Sequence, residues 1–131
     1  MTSDARHPQR ASTAVVVADG YATTYRRWGA GRSVLLLGVP EAIAVALGDG
    51  FRVIVPEMPR HVSELGAGRW LAGVYDGLGI AAATIVTTPA WADAALQLRQ
   101  DAPERVHAVL IVDASALDIA GLPAAVARSF R

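Results

Sequence analysis

Four short apolar runs set the limits on what this chain can fold into. They are Val34 to Leu37, Arg52 to Val55, Ala83 to Val86 and Val106 to Val112. Each is too short for a helix, and the polar–apolar alternation of a half-wet strand is largely absent. A continuous apolar run of this length marks a strand buried on both faces, the usual state of a strand in a parallel sheet flanked by helices. Helical patterns fill the intervals. Glu41 to Leu47 is closed by Gly48-Asp49-Gly50. Ala67 to Leu78 carries Trp70, Leu71, Val74 and Leu78 on one face, with Gly79 as its C-terminal stop, and Ala90 to Gln100 follows the third run. Ahead of them Ala14 to Ala18 and Tyr21 to Trp28 flank Asp19-Gly20, a strong two-residue hairpin signal. The expected fold is α/β: an open, mostly parallel sheet of about six strands, with an N-terminal β-hairpin and flanking helices. Ligands of such sheets bind beyond the carboxyl ends of the strands.

The pattern divides the chain into a flexible N-terminal tail over 1–13, a domain over 14–114, and a C-terminal tail over 115–131 in which Pro123 starts a short helix. Composition narrows the function classes. Formal net charge is zero and the arginines are scattered, so neither nucleic acid nor a membrane is an expected partner. Aromatic residues are 6% of the chain, which argues against base-stacking platforms. There are no cysteines, hence no disulfide, thiolate metal site or cysteine nucleophile. No spacing suggests a metal site, no cofactor is expected, and Gly29-Ala30-Gly31 reads as a turn and not a phosphate loop. The polar start lacks a signal peptide's apolar core, so a cytoplasmic location is expected.

Several segments, in order, resemble the N-terminal half of an α/β-hydrolase. Tyr25 to Pro40 ends Leu37-Gly38-Val39-Pro40, where that family has His-Gly-x-Pro at its oxyanion loop. Phe51 to Ser63 is similar to the strand and loop that follow it. Trp70 to Ile80 resembles the helix before the nucleophile elbow, ending Asp76-Gly77-Leu78-Gly79-Ile80. Pro103-Glu104-Arg105-Val106 and Leu110-Ile111-Val112-Asp113 resemble the strand after the elbow helix. The resemblance covers about residues 21 to 114. It implies the fold and leaves the activity open.

The elbow itself departs from that family. Its G-x-S-x-G becomes Thr87-Thr88-Pro89-Ala90-Trp91, with Pro89 at the serine position. A nucleophile elbow holds its serine at positive φ, which nearby glycines permit. Proline's ring fixes φ near −65°, so Pro89 suits a helix start, with Thr88 as N-cap and Asp93 in the first turn. Trp91 would fill space available to a substrate. The family's catalytic acid and histidine would come from strands after residue 114, and no histidine occurs there. The expectation is a truncated, degenerate α/β-hydrolase without the Ser-His-Asp triad, non-hydrolytic, and binding a small apolar ligand or a partner protein.

The carboxyl ends of the strands would gather Leu37, Gly38, Glu41, Glu57, His61, Thr88, Pro89, Trp91 and Asp113. His61 with Glu57 can form an acid–base pair, which supports an alternative: a repurposed small enzyme for cyclisation, elimination, isomerisation or lactone chemistry. The plainer reading makes His61 a solvent-facing loop histidine and Glu57 a loop-shaping residue. Thr87 and Thr88 serve as nucleophiles only beside a base, and capping is their simpler role. His107 falls at the start of its strand, on the edge opposite the site. Finally, Val106–Val112 would be an edge strand inviting pairing. Either the C-terminal tail covers it, with Leu117, Ile119, Leu122, Val126 and Phe130 as contacts, or another polypeptide does, or a second copy pairs with it in a homodimer. The homodimer is the expectation.

Overall fold

The computed structural model describes residues 12–18, 20–48, 50–58, 64–113 and 121–130. Six strands form one sheet: β1 (Ser12–Ala18), β2 (Tyr21–Trp28), β3 (Arg32–Leu37), β4 (Phe51–Pro56), β5 (Ala83–Thr87) and β6 (Val106–Ile111). Four α-helices accompany them: α1 (Glu41–Leu47), α2 (Glu64–Leu78), α3 (Ala92–Asp101) and α4 (Leu122–Ser129). The strand order is β1-β2-β4-β3-β5-β6. β1 and β2 form the expected antiparallel hairpin, with Ala18 opposite Tyr21, and β2 runs antiparallel to β4. β4, β3, β5 and β6 are mutually parallel. The open, mostly parallel α/β sheet read from the sequence is the sheet observed.

Side-chain alternation along β3 divides the core in two. Leu35 and Leu37 face Trp70, Leu71 and Val74 of α2 and Ala95 and Leu98 of α3. Val34 and Leu36 face Ile43, Ala44 and Leu47 of α1 and Leu122 and Val126 of α4. All four β3 residues are fully buried, which is why this run carries no polar alternation. Each contributes roughly 1.5–3 kcal/mol through burial. Trp70 is also fully buried, and its Nε1 donates to Thr23 Oγ1 at 3.0 Å, joining α2 to the hairpin.

The chain's punctuation has clear causes. α2 ends in a Schellman motif: Ile80 N–H bonds to the Tyr75 carbonyl, Gly79 N–H to that of Asp76, and Gly79 has φ of 67°. Gly29 has φ of 66°, and any side chain there would run into the carbonyl oxygens of Gly48 and Phe51.

Three boundaries differ from expectation. Ser12 and Thr13, assigned to the tail, pair with Arg27 and Arg26 in β1. α2 begins at Glu64, earlier than its apolar stripe, because polar and glycine residues continue a helix once packing has nucleated it. The helix expected from Ala90 opens instead as a 3-10 turn, Pro89–Trp91, with regular α-helix from Ala92. The C-terminal segment is more than a loose tail. Pro123 lies in the first turn of α4, as expected, and Leu122 and Val126 are buried against the sheet. No helix among the described residues is long and apolar enough to cross a membrane.

Candidate functional site

The parallel strands bring their carboxyl ends to one edge of the sheet, in the order β4, β3, β5, β6. Glu57, Gly38, Thr88 and Asp113 follow those ends. Neighbouring strands lie roughly 4.8 Å apart, so Glu57 and Asp113 sit about 14 Å apart across the edge and cannot share a proton directly. Glu57 is exposed, and its backbone N–H donates to the Thr24 carbonyl at 2.8 Å. Asp113 is exposed. His61 lies outside the described residues. Glu41 opens α1 and forms a salt bridge with Arg26 of β2, a pairing the sequence did not signal because the two lie in separate elements. Both partners are about half exposed, so this pair adds little stability, but it gives Glu41 a fixed counter-ion.

The centre of the edge is closely tied. Thr88 N–H donates to the Leu37 carbonyl at 3.2 Å, and Val112 N–H to the Thr87 carbonyl at 2.8 Å. Thr87 is fully buried, with its Oγ1 donating to the Thr88 carbonyl at 2.9 Å. That hydroxyl's proton is engaged in this bond. Thr88 is extended (φ −77°, ψ 161°) and precedes the Pro89 turn, whose Trp91 N–H bonds to the Thr88 carbonyl at 3.1 Å. Thr88 thus holds the N-cap position through its backbone, but its side chain makes no capping hydrogen bond. The reason lies next door. A Cβ on Gly38 would stand 2.9 Å from Thr88 Oγ1 and 2.8 Å from Trp91 Cδ1, so both side chains lean toward the Gly38 backbone.

Gly38 has φ of 69° and carries the turn after β3. Its missing side chain lets the Trp91 indole edge lie against the loop. Trp91 is partly buried and packs on the α2–α3 core, as does the fully buried Leu37. Among the proposed binding residues, then, Gly38, Thr88 and Trp91 are brought together, with Pro89 opening the same turn. Leu37 is directed into the core. The contact of Trp91 with Gly38 was foreshadowed by the replacement of a glycine position with tryptophan, although its target was not.

No family model matches this chain, and no curated protein matches it. Solved structures do. The chain is similar to carboxylesterase CesB of Bacillus subtilis, with a TM-score of 0.68 and 20% identity over 86% of this chain and 47% of that one. It is similar to an epoxide hydrolase of Vigna radiata, with a TM-score of 0.70 and 20% identity over 79% and 40% of the two chains. A haloalkane dehalogenase loop variant of Bradyrhizobium elkanii gives 0.65 and 20% over 76% and 39%. The chain therefore spans less than half the length of these structures. Their names cover three different bond cleavages, so the likeness speaks for architecture alone. The fold of this chain is the α/β-hydrolase fold.

Proposed function

We propose that this chain carries the α/β-hydrolase fold without a working Ser-His-Asp triad, and that it binds a small apolar ligand at the carboxyl edge of its parallel strands without cleaving it. The observation that carries this reading is the composition of the β5 turn. Pro89 brings no hydroxyl; of the two threonines before it, Thr87 already donates to the Thr88 carbonyl, and the Thr88 hydroxyl leans against the Gly38 backbone. Gly38, Thr88, Pro89 and Trp91 would form the apolar contact surface, with Glu57 and Asp113 at its rim. The competing reading, proton transfer by His61 and Glu57, needs Glu57 to act from an exposed position.

Two assays test the proposal together. A fluorophosphonate probe should leave the protein unlabelled, and p-nitrophenyl acetate and butyrate should hydrolyse at the buffer rate. Nile red should bind saturably and change the Trp91 emission. Ester turnover abolished by a single substitution would refute the non-hydrolytic reading. If His61→Ala alone removed turnover of a lactone, the acid–base reading would replace it.

A second copy of the chain is the partner we propose, paired through β6. The strand Val106–Ile111 forms one edge of the sheet and contains neither lysine nor proline, the residues that commonly block edge pairing. Ile111 is 52% exposed. Antiparallel pairing of β6 with itself would close about a two-fold axis.

A further inference from the structure

Parallel strands gather their amino ends as surely as their carboxyl ends, and here that opposite edge is cationic. Arg32 opens β3, Arg52 is the second residue of β4, and His107 is the second residue of β6. The β3–β4 register sets Arg32 opposite Phe51 and Ser33 opposite Arg52, so the two arginines are diagonal neighbours. By strand alternation they leave the sheet on opposite faces, yet at its amino edge both line one cleft. Phe130, just past α4, completes the group: its ring stacks on Phe51 with centroids 6.0 Å apart and meets the His107 ring edge-on at 4.9 Å.

Between them lies a cleft of about 410 Å³, bounded on its far side by the loop that leads from Gly79 into β5. This is a volume typical of small-molecule sites. Its described lining contains Arg32, Arg52 and His107 and no carboxylate. Arg32 is already positioned: its Nη1 donates to the Phe130 carbonyl at 3.1 Å, and its guanidinium lies 5.2 Å from the Phe130 ring centroid. A guanidinium has five N–H donors, so most remain available. Arg52 is half-buried and has no ion pair among the described residues. A partly desolvated cation lacking a counter-ion gains from an anion, and a guanidinium fork fits the two oxygens of a carboxylate or phosphate.

We propose that this cleft binds a small organic anion, with Arg32 and Arg52 holding its carboxylate or phosphate and Phe130 and Ile80 contacting a flat apolar body. The site is separate from the carboxyl edge and does not depend on the function proposed there. Charge selects the ligand, and the Phe130 ring favours an aromatic over a bare inorganic ion.

Titrations of the whole chain with phenyl phosphate, benzoate, inorganic phosphate and neutral benzyl alcohol, followed by amide chemical shifts, test this. Phenyl phosphate or benzoate should bind saturably and shift amides of residues 31–33, 79–82 and 107. The tighter of the two identifies the oxyanion. Inorganic phosphate should bind at least several-fold more weakly, and benzyl alcohol not at all. Arg52→Gln should weaken the aromatic anion at least tenfold, and Ser33→Asp, which brings a carboxylate to Arg52, should do the same without removing a cation. Phe130→Leu should weaken the aromatic anions but leave inorganic phosphate within twofold. Trp91→Ala, at the other edge, should leave all affinities unchanged. The proposal is overturned by a folded wild-type protein that binds neither aromatic anion saturably, or by binding that survives both Arg52→Gln and Ser33→Asp.

Discussion

Thr84 Oγ1 and Ser129 Oγ lie 2.6 Å apart, joining the middle of the sheet to the last helix. The Ser129 hydroxyl also donates to the Val126 carbonyl at 2.5 Å. Its single proton is thereby committed, so Thr84 is the donor between the two. Thr84 is fully buried, and Ser129 is its hydrogen-bond partner. Ser129→Ala should therefore cost about 1–3 kcal/mol by leaving the Thr84 hydroxyl unpaired. Thr84→Val, which removes the group that needs the partner, should cost about 1 kcal/mol or less, and the double variant should cost less than the sum. Urea unfolding of the three variants measures this; equal and additive losses would remove the argument.

The Trp70–Thr23 bond makes the same kind of claim for the opposite core. Thr23→Val keeps the shape and takes away the acceptor of a buried indole N–H. A loss of about 1–3 kcal/mol is expected, measured by chemical denaturation. Trp70→Ala should lose more, about 3–5 kcal/mol, since it adds a cavity.

Tyr75 carries a buried hydroxyl with no hydrogen-bond partner among the described residues. Burial pushes its pKa well above the ordinary phenol value, and the Arg105 guanidinium, 5.8 Å from the ring centroid, offsets part of that rise. The folded state thus holds the proton that the unfolded chain releases from about pH 10 upward. Stability from this group is complete below that pH and is lost as the pH climbs toward the raised folded value. Tyr75→Phe should gain about 1 kcal/mol at neutral pH and flatten the alkaline fall in stability. Thermal unfolding between pH 7 and 11 checks both; an unchanged alkaline slope would show that Tyr75 is not its source.

Gly29→Ala should destabilise the protein by more than about 2 kcal/mol. The substitution adds both left-handed strain and a collision with the Gly48 and Phe51 carbonyls. Gly20→Ala is the control. It has φ of 83° but open space around it, so it should show strain without the collision and a smaller loss. Comparing their melting temperatures separates the two contributions.

Ile111→Lys should convert the proposed dimer to a monomer without unfolding it. Light scattering should give twice the 13.7 kDa chain mass for the unaltered protein at micromolar concentration, and one chain mass for the variant. A single chain mass for both would end the β6 pairing proposal.

The sheet was readable because its evidence is local. Apolar runs such as Val34–Leu37 reveal strands buried on both faces, and Asp19-Gly20 and Gly79 mark their turns by residue type. The resting place of α4 was harder to see. Leu122, Val126 and Phe130 recur at helical spacing, but nothing nearby in sequence shows that Val34 and Leu36 would receive them. At the carboxyl edge, Pro89 and Trp91 announced an altered turn, while the approach of Trp91 to Gly38 depends on a register between separate strands. The cationic cleft is the clearest case. Its arginines look scattered along the chain, and His107 looks misplaced, until parallel pairing aligns the starts of β3, β4 and β6. Basic residues at the first or second position of three of the four parallel strands were the available signal.

The position of α4 also imposes an order on synthesis. The sheet face shared with α1 includes Trp28, Val34, Leu36 and Val53, and it receives Leu122 and Val126 from far along the chain. A nascent polypeptide could pack α2 and α3 against their own face while still emerging, but the part of this second face that α1 leaves to α4 stays greasy until residues 122–130 have left the ribosome. Chaperone dependence should accordingly centre on that late interval.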